Sequence, residues 1–170
     1  MKRRSLFTAC IAVPFLGTGR GLAADRLVGW ISVESAEATA PFLSALKAGL
    51  TAALPAGREP VRIIERYGAS TPALAAAHVA ELQQLGARLI VAQGAATVTV
   101  VAAKPSVPVV FGFSGDPVGA GIAQSLSRPG GNATGVSFMS IELNPKRIDF
   151  LRTAVPTCRR IALLSNPRHA

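Results

Sequence analysis

From residue 27 onward the chain alternates short apolar or β-branched runs with segments whose apolar residues recur every three or four positions. That alternation leaves few folds open. The runs occupy residues 27–33, 61–66, 88–92, 107–113, 133–138 and 160–164. Apolar runs without polar interruption suit strands buried on both faces, which is the environment of a parallel sheet. Between the first two runs, Phe42, Ala45, Leu46, Gly49, Leu50, Ala53 and Leu54 keep helical spacing, and after the second, Leu74, Ala77, His78, Glu81, Leu82 and Leu85 do the same. Both read as amphipathic helices laid on a sheet. Thr71-Pro72 offers an N-cap followed by proline, Asp116-Pro117 repeats the arrangement, and Gly86 stands where a helix C-cap is needed. The expectation is an α/β fold, a doubly wound parallel sheet of six strands.

The first 23 residues read as an export signal. Lys2, Arg3 and Arg4 form a basic start, residues 5–16 are apolar, and Gly21-Leu22-Ala23 supplies small residues ahead of a cleavage point after Ala23. Arg3-Arg4-Ser5-Leu6-Phe7 also has the form of a twin-arginine signal, which leaves two export routes open. Pro14 and the glycines from 17 to 21 interrupt the apolar stretch too early for a spanning helix, so the mature protein is expected in the periplasm. Without Lys2, Arg3, Arg4 and Arg20 the 18 basic residues fall to 14 against 9 acidic, a net charge of +5. These charges are scattered, and Arg159-Arg160 has no aromatic residue interleaved to stack on a base, so no nucleic-acid partner is expected. Cys158 is the single cysteine left after the signal, which excludes an internal disulfide and a CxxC metal site.

Open parallel sheets bind ligands outside the carboxyl ends of their strands. The segments to search are therefore residues 32–37, 93–97, 113–117 and 137–142, each short and polar or glycine-containing. Helix N-termini there favour an anion by roughly 0.3–1 kcal/mol each. Enzyme signatures fail in turn. Gly119-Ala120-Gly121 sits inside a helical pattern after Pro117 and not directly after a strand, and it lacks the third glycine of a dinucleotide fingerprint. Gly112-Phe113-Ser114-Gly115 lacks the form of a nucleophile elbow. His78 and His169 are the two histidines, one on the second helix's stripe and one beside the C-terminus, and neither has a second histidine at metal-ligand spacing. His78 reads as a half-buried helix residue.

Several segments together resemble a known family. Gly115-Asp116-Pro117-Val118-Gly119 continues through Ser125-Leu126-Ser127-Arg128-Pro129-Gly130-Gly131-Asn132-Ala133-Thr134-Gly135-Val136-Ser137. Leu27-Val28-Gly29-Trp30 opens the first strand, and Lys146-Arg147 leads through Val155-Pro156 to Ile161-Ala162-Leu163-Leu164-Ser165-Asn166-Pro167. In these the chain resembles the ABC-transporter substrate-binding protein family, which includes tryptophan- and other aromatic amino acid-binding proteins of the periplasmic binding protein type I fold. The resemblance implies a solute receptor with two α/β lobes, monomeric when full length. It would close on a small ligand such as an amino acid and deliver it to an ABC permease in the inner membrane, with no catalysis, cofactor or metal. On that plan residues 24–140 form the N-terminal lobe, 141–158 a crossing helix and linker, and 159–170 the first strand of an incomplete second lobe. The chain is then expected to be a truncated receptor. The alternative from another class is an exported ligand-sensing or interaction module acting on a membrane partner.

The resemblance also places the ligand contacts. Ser32, Glu34 and Ser35 follow the first strand and can hold a ligand's polar end, with Ser35 equally suited to cap the next helix. In the loop after the third strand, relatives commonly carry Gly, a small residue, Ser or Thr, and then Pro. Here Gln93-Gly94-Ala95-Ala96-Thr97 moves the hydroxyl, making Gln93, Gly94 and Thr97 the candidates. Phe113 can stack on an apolar ligand or belong to the core, and Ser114 adjoins it. Asp116 can pair with a ligand ammonium or cap a helix ahead of Pro117. Ser137 lies near the expected lobe junction.

Overall fold

The computed structural model describes residues 26–57, 59–140 and 142–164. The export signal, Asn166 and His169 lie outside the described residues. Five parallel strands form one sheet in the order β2-β1-β3-β4-β5. They are β1 (Leu27–Ser32), β2 (Arg62–Arg66), β3 (Leu89–Gln93), β4 (Val109–Phe113) and β5 (Ala133–Ser137). The helices are α1 (Ala36–Ala53), α2 (Pro72–Gln84), α3 (Ala96–Ala102) and α4 (Asn144–Ala154). None is long and apolar enough to cross a membrane.

Crossover handedness sorts the helices between the faces. The chain steps outward from β1 to β2 through α1, then returns past β1 to β3 through α2. Right-handed connections in opposite directions must use opposite faces. The packing agrees. Leu27 and Ile31 on β1, Ile90 and Ala92 on β3, and Val109, Phe111 and Phe113 on β4 share one core with Ala75, Val79 and Leu82 of α2 and Ala96 and Val100 of α3. Trp30, with its side chain on the other face, is buried outside that core, as is Leu43 of α1. The Trp30 Nε1 is buried with no hydrogen-bond partner.

Local chemistry explains the helix ends. The Thr71 hydroxyl accepts from the Leu74 N–H at 3.3 Å, with Pro72 opening α2. Gly86 closes it at φ +88°, where its own N–H reaches the Gln83 carbonyl and the Ala87 N–H reaches the Leu82 carbonyl, the paired bonds of a Schellman stop. Two ion pairs fasten edge strand β2. Arg66 grips Glu81 of α2 through Nε at 2.8 Å and Nη2 at 2.5 Å, and Lys47 of α1 lies 3.0 Å from Glu65.

Four expectations need correction. The buried stripe of α1 runs through Thr39 and Leu43, and Phe42 is 58% exposed. The stripe of α2 runs through Ala75, Val79 and Leu82, leaving Leu74 and Leu85 exposed. In both helices the buried stripe lies beside the one the spacing picked out, with Leu82 common to both readings, so Phe42, Leu74 and Leu85 flank the contact. His78 is half-buried as expected, with Nε2 at 3.1 Å from the Tyr67 carbonyl. The third correction concerns residues 160–164, which form no strand; they are exposed, and no strand among the described residues pairs with them. The 117–121 segment after Asp116-Pro117 is a turn and not a helix.

Gly29 marks the closest approach of sheet and helix, since a Cβ there would lie 2.6 Å from Cδ1 of Leu82. Gly29→Val is therefore expected to destabilise the fold by about 1–3 kcal/mol through overpacking, measured by urea denaturation. Glu65 supplies a pH test. The Tyr67 hydroxyl, at 2.7 Å, and then the Lys47 ammonium hold its carboxyl below the usual range. A carboxylate depressed in the folded state adds stability above its unfolded pKa and loses it as pH falls through the folded value. Glu65→Gln should lower unfolding free energy at neutral pH by about 1 kcal/mol and flatten its decline on acidification.

Candidate functional site at the carboxyl rim

All five strands run the same way, so the segments after β1, β3, β4 and β5 emerge along one edge of the sheet. Neighbouring segments are bonded together along it. The Ser32 hydroxyl donates to Gln93 Oε1 at 2.8 Å, the Gly94 N–H to the Gly112 carbonyl at 2.8 Å, and the Ser140 N–H to the Ser114 carbonyl at 2.7 Å. Ser137 Oγ donates to the Gly115 carbonyl at 2.6 Å. Direction reverses between β1 and β3, because β1 leads outward to β2 and β3 leads the other way to β4. That is the switch point where open α/β sheets leave a crevice. Ser32 and Gln93, register partners at the ends of those two strands, mark it.

Each expected residue has a defined place. Ser32 is buried, and its hydroxyl accepts from the Glu34 N–H at 3.0 Å while donating to Gln93. Glu34 is exposed. Ser35 caps α1, accepting from the Ala38 N–H at 3.3 Å, and its hydroxyl beside Glu37 holds that carboxyl below the usual range. Gly94 takes φ +61°, a left-handed turn that lets the chain leave β3 and start α3 at once. Asp116 Oδ1 accepts from the Val118 N–H at 2.9 Å, fixing the turn ahead of the expected cleft. Ser137 Oγ also accepts from the Met139 N–H at 3.1 Å. Ser114 is half-buried on the rim.

Two candidates belong to the interior. Thr97 is fully buried, with Oγ1 bonded to the Ala92 carbonyl at 3.3 Å. Phe113 is 2% exposed and its ring packs in the α2–α3 core, next to where a Cβ on Gly115 would sit. β4 alternates faces with period two, and Phe113 falls in phase with Val109 and Phe111, both core residues. That phase was readable from the sequence and decides against stacking on a ligand.

Gly112, out of phase with those three, was missed as a rim feature. The signal for it was a glycine within the otherwise apolar run Val109-Val110-Phe111-Gly112-Phe113, since a glycine in a strand often marks a close approach by another group. Concavity alone would mislead. A hollow of about 510 Å³ lined by Val98, Val101, Lys104, Ile122 and Asn132 lies at the amino ends of β4 and β5, away from the rim.

The rim can therefore offer polar groups and helix starts to a small solute. His78 is bonded to the Tyr67 carbonyl, and none of the rim hydrogen bonds among the described residues involves it.

Comparison with known proteins bears on this geometry. The family model described as ABC transporter substrate binding protein matches residues 41–170. A tyrosine-binding protein of Clostridioides difficile is 34% identical over 65 residues, covering 38% of this chain and 18% of that protein. Among solved structures, the ABC domain in complex with L-Trp from Streptococcus pneumonia superposes with a TM-score of 0.55 at 24% identity, covering 65% of this chain and 38% of that one. A conserved domain protein from Vibrio cholerae gives a TM-score of 0.61 at 22% identity, covering 76% and 44%. These structures share the α/β fold, and the chain spans under half the length of each. With the family model matching most of its length and the rim built as such a sheet requires, the chain belongs to the ABC transporter substrate binding protein family.

Proposed function

We propose that the protein acts as the solute receptor of an ABC importer. It takes up a small solute of the amino acid class at the carboxyl rim of its sheet and presents it to a permease in the inner membrane. The observation that carries this reading is the bonding of four post-strand segments into one rim, with Ser32 and Gln93 joined at the switch point. The tyrosine-binding relative and the L-Trp complex support an amino acid as ligand. The basic, then apolar, then small-residue N-terminal sequence supports export to the periplasm.

The proposed lobe comprises residues 24–140, with 141–158 crossing toward a second lobe. A receptor of this kind gains its affinity by closing, because only ligand contacts that differ between the open and closed states shift that equilibrium. Binding without chemistry suits the rim. The hydroxyls of Ser32 and Ser137 already donate to oxygens within the fold, so neither is poised as a nucleophile.

Thermal unfolding of the intact protein with each of the common amino acids tests the proposal. At a hundredfold excess over Kd the true ligand should add about 2.7 kcal/mol and raise Tm by several degrees. A flat response across amino acids and related small carboxylates would remove the receptor reading. Thr97→Val separates architecture from recognition. It should cost about 1 kcal/mol in urea denaturation, through loss of the buried hydroxyl's bond, and leave the ligand's Kd within about twofold.

A further inference from the structure

One register row crosses the carboxyl end of the sheet. Ser32 on β1 pairs with Gln93 on β3, Gln93 with Gly112 on β4, and Gly112 with Val136 on β5. Register partners on parallel strands project to the same face about 4.8 Å apart. The row therefore reads hydroxyl, carboxamide, gap, isopropyl, on the face opposite α2 and α3.

The gap at Gly112 differs from the other close glycines of the sheet. A Cβ on Gly29 would strike Leu82, and one on Gly135 would strike the ring and carbonyl of Phe111, so neighbours already fill both of those positions. A Cβ on Gly112 meets no atom within 4 Å. Beyond it Val136 is 63% exposed. Packing gives no reason for glycine at residue 112, and its backbone does not occupy the left-handed region.

The polar side of the gap is oriented. Ser32 Oγ accepts from the Glu34 N–H and passes its own hydrogen to Gln93 Oε1. Holding Oε1 in this way turns the amide nitrogen away from Ser32, and Nε2 has no hydrogen-bond partner among the described residues. A buried hydroxyl thus fixes a half-buried carboxamide whose donors remain uncommitted, beside open apolar space.

We infer that Gln93 and Gly112 form the selectivity-determining subsite of the cleft. Nε2 of Gln93 donates to a carboxylate oxygen of the solute, and the solute's flat or apolar side chain lies over the Gly112 backbone against Val136. The inference rests on the receptor reading and deepens it. β3 and β5 stand two strand spacings apart, about 9.6 Å, which admits one planar ring between their side chains. Ser32 is a positioning residue, acting through the carboxamide it holds.

Calorimetric titration of the intact protein with L-tyrosine, L-alanine and tyramine, which lacks the carboxylate, tests the assignment. Gly112→Val should weaken L-tyrosine about tenfold or more and leave any L-alanine affinity within about threefold. Gly112→Ala should fall between, and its methyl has free space, so it serves if the valine variant folds poorly. Gln93→Leu should weaken L-tyrosine about tenfold and collapse the preference for L-tyrosine over tyramine, a ratio that a merely structural role would not move. If the parent binds L-tyrosine and these variants keep its Kd and that ratio, the subsite is overturned and the receptor reading stands. If the parent binds no amino acid at all, both fall together.

Discussion

Handedness of the strand crossovers is the constraint on which the rest of this structure depends. Because β1 connects outward to β2 and the chain returns to β3 on the other side, right-handed crossovers send α1 to one face and α2 to the other. The same topology aligns every strand and collects their carboxyl ends along one edge. Hydrophobic burial under α2 and α3 then holds the sheet rigid behind that edge, with Leu27, Ile31, Ile90 and Val109 at the centre of the core. The rim's polar geometry follows from strand order, and the individual loops need only finish it.

Most polar side chains of the rim loops have structural work. Ser35 caps α1, Asp116 closes a turn, Ser137 bridges β5 to the loop after β4, and Thr97 ties α3 to β3. This reflects the cost of leaving a buried or half-buried polar group unpaired, about 1–3 kcal/mol. Parallel sheets place many backbone N–H and carbonyl groups at their ends, and short polar side chains satisfy them. A residue in a family's ligand loop is thus no proof of contact, and the group to look for is one whose bonding capacity the fold has left over. By that criterion Gln93 differs from its neighbours.

How much could be read in the sequence depended on the period of the pattern. Five of the six expected strands are present, with ends shifted by up to two residues, because uninterrupted apolar runs such as Val109-Val110-Phe111 carry a strong signal. The caps at Ser35 and Thr71 and the stop at Gly86 were legible because each rests on chemistry within a few residues. The helix faces were misjudged. In α2 the first residue turned inward is Ala75 and not Leu74, because Ala75 is in phase with Val79 and Leu82 on the buried face. Strand formation at residues 160–164 depends on a partner that local sequence does not supply. The openness beside Gly112 depends on what lies across from it, which no local pattern encodes.

α4 carries a different consequence. None of its eleven residues is buried, no side chain caps its start, and Phe150 and Leu151 face outward. Isolated helices of this length are marginal in water, since the cost of nucleation is spread over too few propagating bonds. Its secondary structure is therefore conditional in a way that the sheet's is not. Amide protection in this segment would report the company the helix keeps.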